Sequence, residues 1–201
     1  MMTSSPIVLA TGDRADFQQV NDFARSTGWL HGPVVAYASY GVVLFGVLLV
    51  VGFLLARSRR DPLLVARSVL AGAGVLLAVA VNQPIVHAVA ERRPYDQLVG
   101  VLVLVHRSAD ASFPSDHATM AGAAAAGLLL VDRRLGLTAA VAAVLMAFAR
   151  VYVGAHFPVD VLAGLVVGAV VALLVQLAAP ALARLIRRLG STAAAPVLAA
   201  R

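Results

Sequence analysis

The sequence predicts an all-α protein: an integral membrane helical bundle of about five transmembrane helices, with an amphipathic interfacial helix at its N-terminal end. Three observations carry that prediction. Of 201 residues, 61% are hydrophobic and 13% charged, with a mean hydropathy of +0.89; soluble domains run at about 45–50% apolar and about 25% charged. Five stretches contain no Asp, Glu or Arg. The basic residues fall in clusters on alternate connections between those stretches. A soluble globule of this length buries only about 70% of its chain surface and has no means of hiding so much apolar area. A soluble enzyme, a disordered chain and a disulfide scaffold are therefore excluded. The absence of Cys removes thiol redox chemistry and thiolate metal sites.

Residues 14–27 place Phe17, Val20, Phe23 and Ala24 at helical spacing opposite a polar face, the pattern of a short helix lying on the outer membrane surface. Runs 26–56, 68–90 and 161–183 each exceed the about 20 residues a spanning helix needs. Runs 117–131 and 135–149 have fifteen residues each, about 22 Å of helix against a hydrocarbon core of about 30 Å. They span if their helices continue through the polar residues at one end. Ionisable groups then enter the membrane margin, where they are costly and usually functional. Residues 97–105 are apolar but too short to span and are expected to dip into the interface. The Ala/Gly-rich patches 121–127 and 163–169 let helices approach closely.

All sixteen basic residues are Arg. With five spans, Arg57, Arg59 and Arg60, then Arg133 and Arg134, then Arg184, Arg187, Arg188 and Arg201 share one side, the cytoplasm by the positive-inside rule. The N-terminus, the loop 91–116 and the turn 150–160 fall on the opposite side. The expected organisation is an N-terminal segment 1–33, a transmembrane core 34–183 and a basic cytoplasmic tail 184–201, in a multi-pass protein of the cell membrane. A pI near 11.0 suggests nucleic acid in a soluble protein; here the Arg pattern reads as topology, so membrane lipids rather than nucleic acid are the expected partners. No short basic region precedes an apolar core at the start, so no cleaved signal peptide is expected.

Three polar groups flank the spans on the outer side: residues 91–96, 113–118 and 149–160. Several Arg at one site favour a polyanion, phosphate first. Two His can divide the roles of nucleophile and general acid. An Asp four residues after a His can fix the imidazole tautomer and stabilise its charged form. Ser115 is a good N-cap with Asp116 in the first turn, and Pro158 suits a first helical position with Asp160 behind it. Free N–H groups at such helix starts accept phosphate oxygens.

These residues resemble the type 2 phosphatidic acid phosphatases, whose pattern is Lys-x6-Arg-Pro, then Pro-Ser-x-His, then Ser-Arg-x5-His-x3-Asp. Here the motifs stand as Arg93-Pro94, then Pro114-Ser115-Asp116-His117, then Arg150, His156 and Asp160. The small size, the five-span layout and the form of residues 113–118 resemble the undecaprenyl pyrophosphate phosphatase, or bacitracin-resistance, branch. The resemblance implies that His156 attacks phosphorus and forms a phosphohistidine, that Asp160 orients His156, and that His117 protonates the leaving oxygen and later activates water. It implies that Arg93, Arg150 and Ser115 hold the phosphate oxygens, with no metal or cofactor. The implied substrate is a lipid phosphate or diphosphate, undecaprenyl diphosphate foremost, with phosphatidic acid and phosphatidylglycerophosphate as alternatives. A non-catalytic lipid-phosphate binder or transporter is the alternative of another class; retention of both His and Asp160 argues against it. Two positions depart from the pattern: Val86 replaces the Lys, and Ala149 replaces the Ser. Arg92 is expected to supply the lost charge, with His87 the other basic neighbour.

The remaining polar residues carry plainer expectations. His31, His87 and His106 read as structural or interfacial. Asn82 and Gln83 are expected to bond within the bundle near the site. Trp29, Tyr37 and Tyr40 suit an aromatic belt. Tyr95, Arg107 and Asp110 belong to an outer loop that is solvated or meets a head group. A His156/Asp160 metal site is disfavoured by the clustered Arg, which repels cations. Nothing in the sequence sets an oligomeric state.

Overall fold

The computed structural model describes residues 11–189, and among them every regular element is helical. The first ten residues of the N-terminal segment and the end of the basic tail, with Arg201, lie outside the described residues. In chain order the helices are α1 (Thr11–Ser26), α2 (His31–Tyr40), α3 (Val42–Ser58), α4 (Pro62–Val89), the single turn α5 (Pro94–Gln97), α6 (Asp116–Leu129), α7 (Arg133–Tyr152), α8 (Pro158–Gln176) and α9 (Ala179–Leu189). A 3-10 turn, Gly28–Leu30, precedes α2.

The centre is α6, packed on α4, α7 and α8. Small residues set its depth. A Cβ on Gly168 of α8 would lie 2.0 Å from the Thr119 carbonyl oxygen, and one on Gly122 of α6 would lie 2.3 Å from that of Leu165. The two backbones meet directly, as the Ala/Gly patches predict. The apolar side chains that remain exposed, such as Leu76, Val141, Leu162 and Val166, lie on α4, α7 and α8, where a hydrocarbon solvent covers them without cost.

Pro62–Gln97, Arg133–Tyr152 and Pro158–Gln176 are long and apolar enough to cross a membrane. The first predicted span is not one straight helix. Its two halves, α2 and α3, meet at 56° and make a fourth span only as a bent pair. The bend sits at Gly41, where a Cβ would lie 2.6 Å from Met146 Cε and 2.5 Å from the Tyr37 carbonyl oxygen. Helix α7 lengthens through Arg133 at one end and Arg150 at the other, as predicted. Helix α6 does not lengthen: Ser115 and Pro114 precede its start, Asp132 caps the next helix, and its 14 residues reach only about 21 Å.

One end of the bundle gathers the basic connections. Asp132 accepts from Arg134 N and Leu135 N and pairs with Arg59 at 2.6 Å. Ala183 and Ile186 of α9 pack with Ala56, Val65 and Val131 there. The opposite end carries α1, whose apolar stripe packs on the bundle. Phe17 packs edge-on to Phe157 at 5.3 Å, and both Phe17 and Ala24 are fully buried against α7 and α8, while Phe23 stays exposed. The polar side chains of α1 explain this preference for protein. Asp13 accepts from Val159 N at 2.9 Å, and Asn21 bonds both the N–H and the carbonyl of Leu102, so α1 satisfies backbone groups that lipid would leave bare.

Candidate active site

At the α1 end lies a cavity of about 520 Å³, lined by α4, the loop 108–114, the start of α6, the end of α7 and His156. His156 reaches it on a tight turn after α7. Gly154 has φ 79° there, and a Cβ on it would lie 2.4 Å from the Leu102 carbonyl oxygen, so only glycine fits. Phe157 then begins α8, with Pro158 at its first position and Asp160 in its first turn. Ser115 N donates to the Asp160 carbonyl at 3.0 Å, which ties the starts of α6 and α8 together.

His156 is 3% exposed. Its Nδ1 lies 2.9 Å from the Ser112 carbonyl oxygen, 3.4 Å from Ser112 Oγ and 3.5 Å from Asp160 Oδ2. A carbonyl only accepts, so Nδ1 carries the proton and Nε2 keeps its lone pair. Arg93 Nη1 lies 3.2 Å from Nε2 and donates to it. Burial pushes the imidazole down to about 4, with Arg150 and Arg93 acting in the same sense and Asp160 opposing. The ring is neutral at pH 7.

Asp160 is fully buried and reaches the imidazole chiefly through Ser112. Its Oδ2 accepts from Ser112 Oγ at 2.5 Å and from Phe157 N at 2.8 Å. The sequence reading assigned the orienting role to Asp160 alone; the nearer partner of Nδ1 is the Ser112 carbonyl. Ser112 was missed because it belongs to no spacing rule. Its only sequence signal is a small polar residue in the loop just before Pro114.

Arg93 is spread over the loop. Nε donates to Asp110 O, Nη1 to Ala155 O, and Nη2 reaches Ala111 O at 3.5 Å. Together with the bond to His156, these contacts engage four of its five N–H groups. Arg150 donates from Nη1 to Ala38 O at 3.2 Å, while its buried Nε has no partner among the described residues. Arg93, Arg150, His117, His156 and Asp116 all line the cavity. Asn82 and Gln83 bond as predicted: both amides donate to the Asp116 carboxylate, Asn82 at 2.7 Å and Gln83 at 3.0 and 3.1 Å.

Three further residues sit as follows. Arg92 is exposed and does not line the cavity. It adjoins Arg93 on extended backbone (Arg93 φ −69°, ψ 158°), where successive side chains point to opposite faces. Ser115 occupies the N-cap position, yet its Oγ caps nothing, is buried without a partner among the described residues, and does not line the cavity. His87, read as structural or interfacial, lines the cavity. Of the two departures from the motif pattern, Val86 lines the cavity as an apolar wall, while Ala149 packs with Ala24, Ala38 and Tyr152 away from it.

The surroundings support the loop. Tyr95 is buried and exchanges hydrogen bonds with Ser108 through its hydroxyl, and Arg107 stacks over its ring. Tyr37 donates to Ala142 O inside the bundle, so only Trp29 and Tyr40 stay exposed as belt residues. Among the described residues no group of three His, Asp or Glu converges as a metal site.

Comparison with known proteins identifies the family. The profile of the PAP2 superfamily matches residues 67–184. The chain is 31% identical over 160 residues to the undecaprenyl-diphosphatase BcrC of Bacillus subtilis, covering 79% of each protein. It is 38% identical over 123 residues to the decaprenylphosphoryl-5-phosphoribose phosphatase of Mycobacterium tuberculosis, covering 61% of this chain and 63% of that one. The crystal structure of Aquifex aeolicus LpxE shares the fold, with a TM-score of 0.64 at 22% identity over 87% of this chain and 98% of that one. The chain belongs to the PAP2 superfamily, and it is a multi-pass membrane protein.

Proposed function

We propose that this PAP2-superfamily member is a membrane lipid-phosphate phosphatase that hydrolyses a polyprenyl diphosphate, undecaprenyl diphosphate foremost, to the monophosphate and inorganic phosphate. The observation that carries the reading is the His156 imidazole. It is neutral, its proton is held on Nδ1 by the Ser112 carbonyl, and its Nε2 lone pair lies beside Arg93 at the cavity wall. A neutral nitrogen presented among guanidiniums suits attack on a phosphate, because the Arg charges attract the dianion and leave the nucleophile unprotonated.

The steps follow from those groups. Nε2 of His156 bonds to phosphorus as the bond from phosphorus to the leaving oxygen breaks, and His117 gives that oxygen a proton. His156 now carries phosphate and a formal positive charge, which Asp160 offsets at 3.5 Å from Nδ1. His117 then takes a proton from water, the resulting hydroxide oxygen bonds to phosphorus, and the P–N bond breaks to return neutral His156. Arg93 and Arg150 stabilise the equatorial oxygens in both steps. Neither step draws on a metal or a cofactor. The named activities of the bacillary and mycobacterial relatives favour a polyprenyl substrate. The Arg bias of the opposite end favours a cell-membrane protein with the cavity on the extracytoplasmic side and the C-terminus in the cytoplasm.

The test is phosphate release by purified protein in detergent with EDTA, offering undecaprenyl diphosphate, phosphatidic acid and phosphatidylglycerophosphate side by side. The expected result is preferential, EDTA-resistant release from the diphosphate that His156→Ala abolishes. Full release by His156→Ala, or none by the wild type from any lipid, overturns the proposal.

A further inference from the structure

The cavity holds more than the His156 centre. Its α4 wall carries Gln83, Val86 and His87, and Gln83 and His87 are one helical turn apart on the same face. That wall adjoins the start of α6, because Asn82 and Gln83 both bond Asp116. His117, the proposed acid for the leaving oxygen, is the next residue. His117 and the α4 residues line one cavity, which gives a leaving group protonated by His117 access to that wall.

Charge decides what that wall must supply. A phosphate monoester carries about two negative charges at neutral pH, and a diphosphate monoester about three. Arg93 and Arg150 offset two, and most of the Arg93 N–H groups are already engaged. Asp116 also lines the wall and adds a negative charge, spread over three amide hydrogen bonds. Besides Arg93, Arg150, His117 and His156, His87 is the one lining side chain that can be cationic. It is exposed at the mouth, one residue past the position where the PAP2 pattern has Lys and this chain has Val86.

We infer that His87, with Gln83 beside it, forms a second phosphate subsite that holds the lipid-proximal phosphate of a diphosphate and makes His87 a specificity-determining residue. The inference rests on the phosphatase reading for its substrate, but not for its binding test. The probes are inorganic pyrophosphate and inorganic phosphate, titrated calorimetrically into the purified full-length protein in detergent.

The wild type is expected to bind pyrophosphate more tightly than phosphate. His87→Ala is expected to lower that ratio about tenfold, the loss of one charge-assisted contact, and His87→Lys to restore it. In the kinetic arm, the ratio of kcat/KM for the diphosphate over that for phosphatidic acid falls in the same proportion. Restoration by Lys excludes misfolding as the cause. An unchanged ratio in His87→Ala, equal losses for both anions, or no wild-type preference for pyrophosphate overturns the subsite. A His87-dependent preference without phosphate release from any lipid upholds the subsite and refutes the phosphatase reading instead.

Discussion

Asp160→Asn tests the phosphohistidine scheme most directly. The substitution keeps the side-chain shape and an oxygen that can accept from Phe157 N, but removes a charge that is fully buried and 3.5 Å from His156 Nδ1. At that separation and an effective dielectric near 20, a full positive charge on the imidazole gains about 4–5 kcal/mol from the carboxylate. In the transition state the charge is about half developed, so about 2 kcal/mol is lost there, or roughly a 30-fold fall in kcat. The neutral ring of the free enzyme gains little from Asp160, so KM should move much less. The assay is steady-state phosphate release from undecaprenyl diphosphate in detergent micelles, with thermal melting as the folding control. A fall confined to KM, or a kcat within about threefold of wild type, would refute the reasoning, because no charge would then be forming on His156.

The other predictions rest on separate observations. Burial holds His156 near 4, so its ring should stay neutral down to about pH 5 in a histidine NMR titration; a His156 signal, assigned by its loss in His156→Ala, that titrates near 6.5 would contradict the buried neutral ring. Gly168→Ala must push the α8 backbone off Thr119, since its Cβ would lie 2.0 Å from that carbonyl; a loss of about 2–3 kcal/mol should appear as a lower melting temperature, and an unchanged one would mean the helices are not in direct contact.

The sequence made the scaffold legible where one physical signal dominated. Hydropathy and Arg clusters located the apolar helices and gathered the basic loops at one end, because the bilayer constrains every spanning segment alike. It was silent where protein competed with lipid as the solvent. The apolar stripe of α1 is the same whether it faces a membrane or Phe157; the deciding bonds, Asp13 to Val159 and Asn21 to Leu102, join residues 146 and 81 positions apart. The bend at Gly41 was hidden for a related reason. Met146 of another helix lies against it, and a glycine in an apolar run carries no mark of what approaches it.

The candidate site shows the same division on a finer scale. Motif spacing brought His117, Arg150, His156, Arg93 and Asp160 together, because each spacing is fixed within one turn or one helix start. Neighbours in sequence were told apart only by backbone geometry. On the extended chain at residues 92–93, one guanidinium enters the site and the next points to solvent. On α4, one turn of helix places Gln83 and His87 on the face that carries Val86. Charge lost at Val86 is therefore best sought on the cavity-lining face of α4 rather than on the extended segment beside Arg93. By that geometric argument His87, not Arg92, is the residue placed to compensate for the Lys that this chain lacks.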